Sequence, residues 1–140
     1  MTELNNPEDQ LEVLSEQQCL ELLGSRDLGR ITFDIAGQPE IFPVNYTCDG
    51  AVVVFRTAGG TKLEQALAGR VAFEVDSWDQ DAKVGWSVVL KGIAHEVTTG
   101  IDPFSVTLRT RKVSPQAPGK RDRWIAIYPS EISGRRFHRT

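Results

Sequence analysis

From Gly29 onward the chain is a succession of short strand-like runs separated by turn signals, and this limits the folds open to it. "GRITFDI" sets Ile31, Phe33 and Ile35 against Thr32 and Asp34, the two-residue alternation of a half-buried strand. "AGQP" (36–39) turns the chain, and "EIFPVNY" follows, interrupted by Pro43. A proline removes a ladder donor, so this run is an edge, a bulge or a bent strand. After the tight-turn signal "CDG", "AVVVF" (51–55) is a buried strand. "RVAFEVDS" directs Val71, Phe73 and Val75 inward. "VGWSVVLKGIAHEVT" (84–98) is one long strand, or two meeting at Gly92, and "RWIAIYP" and "EISGRRF" close the chain. Six or seven strands joined by hairpin-length turns predict a mainly antiparallel sheet. A closed barrel removes the edges such a sheet would expose.

Helical signals are few. In "LSEQQCLELLGS" (14–25), Ser15 is an N-cap, Gln18 completes a capping box and Gly24 offers a stop. "TKLEQALA" (61–68) and "DPFSVTLRTRK" (102–112) are the other short candidates. Residues 1–13 read as a flexible N-terminus and 14–140 as one domain. At 140 residues, with 40% apolar and 25% charged, the chain suits one modest core.

Other function classes recede on composition. No apolar run approaches the roughly 20 residues of a membrane span, and nothing resembles a secretory signal, so a cytoplasmic location with Cys19 and Cys48 as free thiols is expected. The net charge of −3 hides an acidic start (Glu3, Glu8, Asp9, Glu12, Glu16, Glu21) and a basic end from Arg109 to Arg139. With the aromatics of that region in strand-like runs, a solvated face and a small phosphorylated ligand are favoured over nucleic acid. His95 and His138, the two histidines, lack zinc-type spacing, so no metal site is expected. Ser87 is not in a nucleophile elbow, and Glu74 and Asp76 read as a solvated face.

Three stretches hold binding chemistry. "FRTAGGTK" (Phe55–Lys62) combines Arg56, Thr57, Thr61 and Lys62 with two glycines. Arginine forks onto phosphate oxygens, lysine supplies a point charge, and glycines expose backbone N–H groups. Taken alone, it reads equally as a phosphate grip or as a glycine turn with two solvated cations. "PVNY" (Pro43–Tyr46) rigidifies a strand and can leave backbone groups facing a planar ligand, or it is simply an edge strand. "GWSVVLKG" (85–92) puts Trp86, Val88 and Leu90 on one face and Ser87, Val89 and Lys91 on the other; Trp86 is core or an aromatic wall beside a ligand. In "SGRRF", Arg135 and Arg136 are solvated, or one of them reaches a ligand across a subunit boundary.

In order, the capped helix, "LGRITF", "PVNY", "FRTAGGTK", "VAFEVD", "GWSVVLKG", "APGKRDRW" and "ISGRRF" resemble the pyridoxamine 5'-phosphate oxidase-like, FMN-binding split-barrel family, in its small actinobacterial-type members. The resemblance runs from Leu14 to Phe137. It implies a six-stranded antiparallel split β-barrel with a few short helices, forming a homodimer with cofactor sites at the interface. It places the flavin phosphate on the segment of Phe55, Arg56, Thr57, Thr61 and Lys62. The ring lies along the backbone of Pro43, Val44, Asn45 and Tyr46, beside the strand of Trp86 and Ser87, with the loop near Pro118 and Gly119 and the arginines at 135 and 136 reaching over from the partner. Gln116 stands where relatives often carry tryptophan, and "GRRFHR" matches poorly the pattern that grips vitamin B6 substrates, so that oxidation is not implied. The expected function is flavin-dependent oxidoreduction of a small molecule, with no catalytic side chain assigned. The alternatives are a deazaflavin-dependent reductase, whose cofactor tail the basic run 109–123 would receive, and a flavin-binding module without turnover.

Overall fold

The computed structural model describes residues 10–58, 62–66, 69–97 and 122–140. Its frame is one antiparallel sheet: β1 (Gln10–Val13), β2 (Leu28–Ile35), β3 (Gln38–Asn45), β4 (Thr47–Asp49), β5 (Val52–Ala58), β6 (Arg70–Asp79), β7 (Val84–Glu96) and β8 (Asp122–His138). The strand order is β3-β2-β6-β7-β8-β5-β4, with β1 on β8. β4 continues β3 past Tyr46 and pairs with β5. The eight strands therefore trace a six-sided ring, the split β-barrel expected, with β1 added outside.

The alternation read from sequence determines what fills the ring. Ile31, Phe73, Val75, Val88, Leu90, Val53, Phe55, Ile125 and Ile127 are fully buried in one cluster. Helix α1 (Glu16–Leu23) closes one end, with both halves of the Ser15–Gln18 capping box formed and Cys19 and Leu23 buried. Burial, and then the nearby Glu16 charge, raise the Cys19 thiol pKa and keep it protonated. The Tyr46 hydroxyl donates to the Leu23 carbonyl, tying α1 to the β3–β4 junction. A short 3-10 helix (Lys62–Ala66) buries Ala66 in the same core. It lies toward the far end, where Gly69 N–H donates to the Ala66 carbonyl and the Gly69 carbonyl accepts from Ala94 of β7.

Two departures from the sequence reading matter. Residues 10–13 are not part of a frayed lead-in; they form β1, with Gln10 opposite His138 and Val13 opposite Arg135. The two closing runs are one 17-residue strand, β8, continuous through Pro129. It survives the proline because the register against β7 shifts there, Lys91 facing Glu131 and Gly92 facing Pro129, which leaves Ser130 as the extra residue of a bulge. Of the two alternatives for the run 84–98, the first holds: it is one strand from Val84 to Glu96. Candidate helix 102–112 lies outside the described residues. Among those described, no helix is long and apolar enough to cross a membrane.

Candidate functional site

Pro43 can occupy β3 because of which way its missing N–H would point. Tyr46 N–H donates to the Asp27 carbonyl of the chain entering β2. Antiparallel pairs alternate between bonded and non-bonded. In the β2–β3 register, Val44 opposite Gly29 is then bonded, and Pro43 opposite Arg30 and Asn45 opposite Leu28 are not. Backbone groups of Pro43 and Asn45 accordingly face away from β2, and the proline forfeits no ladder bond.

They face β5. The β4–β5 register runs Asp49–Val52, Cys48–Val53, Thr47–Val54. Continued past the point where pairing stops, it sets Tyr46 against Phe55, Asn45 against Arg56, Val44 against Thr57 and Pro43 against Ala58. "PVNY" and "FRTA" thus lie across a slot where β3 has left β5 for β2, while the two strands remain in contact. Val44, Tyr46 and Phe55 turn their side chains into the core, so they can meet a ligand only through the main chain. Burial also lifts the Tyr46 phenol well above its ordinary range, so it stays protonated. The Asn45 amide donates to the Asp27 carbonyl at 3.2 Å, which orients it.

Arg56 and Thr57 alternate across β5. Thr57 is buried, on the side of Val53 and Phe55. Arg56 shares the other face with its cross-strand neighbour Trp124, whose ring centroid is 5.5 Å from the guanidinium carbon. Stacking on tryptophan keeps the planar guanidinium fork in a fixed orientation. The two side chains thus leave β5 on opposite faces, Arg56 beside Trp124 and Thr57 buried on the side of Phe55. Lys62 approaches the slot strand from the 3-10 helix, its Nζ 3.5 Å from Glu40 of β3. At 63% exposure, such a pair is worth under about 1 kcal/mol, and a dianion can displace it. Thr61, Gln116, Pro118 and Gly119 lie outside the described residues.

The other predicted residues are elsewhere. Ser87 of β7 faces Arg135 of β8. Both line a cleft of about 450 Å³ with Leu11, Val89, Ser133 and Phe137. Arg135 is 11 residues along β8 from Trp124 (135 − 124), or roughly 35 Å of strand from the partner of Arg56. Trp86 does not share the Ser87 cleft: it packs on the core, with Arg26 at 6.0 Å over its ring, itself held by Ser77 at 2.7 Å. A larger cleft, about 710 Å³, lies between Thr32, Pro39, Arg70, Lys91 and Glu131 and contains none of the predicted residues.

Glu74 and Asp76 prove to be more than a solvated face. Both converge on Arg30, at 3.2 and 3.3 Å. Burial, and then the hydrogen bond and charge of Asp76, push the Glu74 carboxyl up to about 7 against the opposing pull of Arg30. The signal was present as two acids at period-two spacing, but the arginine that joins them comes from another strand. Arg123 likewise bridges Glu64 at 2.9 Å and Glu96 at 3.5 Å.

Known proteins resemble this chain in sequence and fold. A Mycobacterium smegmatis protein whose structure is described as an FAD binding protein is 35% identical, covering 91% of this chain and 98% of its own, with a TM-score of 0.78. A Corynebacterium glutamicum protein described as a candidate pyridoxamine 5'-phosphate oxidase is 32% identical over 93% of this chain and 100% of its own, with a TM-score of 0.80. An uncharacterized protein of Mycobacterium tuberculosis is 34% identical over 130 residues, covering 89% of this chain and 84% of its own. The sequence profile of the pyridoxamine 5'-phosphate oxidase family matches residues 15–136. The match spans α1 and every strand from β2 through most of β8, and the chain belongs to the pyridoxamine 5'-phosphate oxidase family.

Proposed function

We propose that this protein binds FMN in the slot between β3 and β5 and transfers hydride or electrons between the bound flavin and a small molecule, as a homodimer with a cofactor site at each subunit interface. The observation that carries this is the opposition of "PVNY" and "FRTA" where β3 pairs with β2 while β4 pairs with β5. Backbone groups of Pro43 and Asn45 supply donors and acceptors for the edge of a planar heterocycle. Arg56, oriented by Trp124, and Lys62, exchangeable from Glu40, supply charge for a phosphate. The flavin supplies the redox chemistry, and the protein supplies binding, orientation and electrostatics. The placement of Ser87 and Arg135 in a separate cleft is compatible with the dimer, because a second copy can bring that face over the slot of the first.

FAD is the second reading, favoured by the FAD binding relative at 35% identity. It has the same ring system and also carries phosphate, so the slot serves either cofactor. The test is to purify the protein, denature it and identify what is released. A yellow preparation releasing FMN is expected. FAD would move the assignment to the second reading, and a deazaflavin to a reductase of that type. Colourless protein whose absorbance and fluorescence do not respond to added flavin would overturn flavin binding altogether.

A further inference from the structure

The larger cleft is lined by none of the slot residues, although its Pro39 adjoins Glu40, the partner of Lys62. Its existence follows from the bulge. An added Cβ at Gly92 would lie 2.0 Å from the Tyr128 carbonyl oxygen, so the bare glycine lets β7 and β8 close tightly there. The extra residue Ser130 is displaced, and its hydroxyl donates to the Lys91 carbonyl at 3.2 Å. Ser130 and Glu131 thereby become part of the cleft wall opposite Thr32 and Asp34 of β2. The volume, about 710 Å³, is within the range of small-molecule sites.

The lining divides into an apolar part, Pro39, Phe33, Val71, Ala72 and Ile93, and a charged rim. Three of the four rim charges are engaged. Asp34 accepts from Gly37 N–H at 2.8 Å, and Lys91 pairs with Glu131 at 3.5 Å. Arg70, at the start of β6, has no ion-pair or hydrogen-bond partner among the described residues. We infer that this cleft is a second ligand site, taking a small organic carboxylate whose apolar body rests on Ala72 and Ile93, which share a face with Arg70, and whose oxygens are gripped by Arg70. An unpaired guanidinium beside an apolar floor selects for that combination, because its fork matches a carboxylate in two bonds. The inference does not depend on flavin binding.

The test uses 2-naphthoate as probe and 2-naphthamide as its neutral isostere, followed by amide chemical shifts of the full chain. Saturable shifts are expected at residues 70–72, 91–93 and 130–131. Affinity should fall about tenfold or more for the amide and for Arg70→Gln, while the flavin affinity of Arg70→Gln stays at the wild-type value. No saturation at millimolar naphthoate, shifts centred on residues 43–46 and 55–57, or equal affinity for acid and amide would each overturn the site.

Discussion

Arg56 shows how a single position acquires its chemistry. Beside Thr57 in sequence, it looks like half of a two-residue grip. On the strand, alternation separates the pair, and Trp124 fixes the guanidinium on the outer face. The residue type was legible; its direction depended on parity within β5. Two predictions belong at this scale. Ala36 has φ 50° and Gly37 φ 86° in the two-residue turn between β2 and β3. Both signs are those of a type I′ turn, in which alanine is strained and asparagine is favoured. Ala36→Asn should stabilise the protein by roughly 0.5–1 kcal/mol in urea unfolding; a loss of stability would refute the turn assignment. Glu74 makes the second. Its folded pKa, about 7, lies above the ordinary 4.5, so the native state holds the extra proton. Stability should therefore decline as pH rises from about 4.5 through 7 and level off above it. Glu74→Gln should flatten that part of the Tm profile, and an unchanged slope would assign it to other groups.

At the scale of elements, local signals were legible and closures were not. The capping box of α1 is written within four residues, Ser15 to Gln18, and formed as read. β1 forms only because Gln10 meets His138 at the other end of the chain, a pairing no local pattern encodes. Pro129 looked like a strand end, yet the bulge at Ser130 absorbs it. The slot is the same kind of case: "PVNY" and "FRTA" were each visible, but their opposition follows from β4 pairing with β5 while β3 pairs with β2. Packing between strands also yields a prediction. A Cβ on Gly29 would come within 2.4 Å of the Phe73 ring, which stacks edge-on against Tyr46 at 4.9 Å. Gly29→Ala should destabilise by about 1–3 kcal/mol. Because Gly29 faces Val44 in the ladder, it should also weaken flavin retention. Wild-type stability in denaturant titration would contradict this packing.

At the scale of the molecule, the predicted site residues divide between two regions of the barrel. Asn45 and Arg56 lie at the slot, and Ser87 and Arg135 lie in the cleft beside β1. The two regions are separated by roughly 35 Å of strand contour along β8, and the proposed dimer would let a second copy bring its Ser87–Arg135 face to the slot. Dilution followed by sedimentation should release flavin in step with dissociation, and Arg135→Ala should speed that release. A monomer that retains flavin would refute the shared site. The proposed hold of the slot on the cofactor phosphate is read by fluorescence titration of FMN against wild type, Arg56→Ala and Lys62→Ala. Each substitution should weaken binding by roughly 1.5–3 kcal/mol, the worth of a charge-assisted hydrogen bond. Wild-type affinity in both variants would contradict the account.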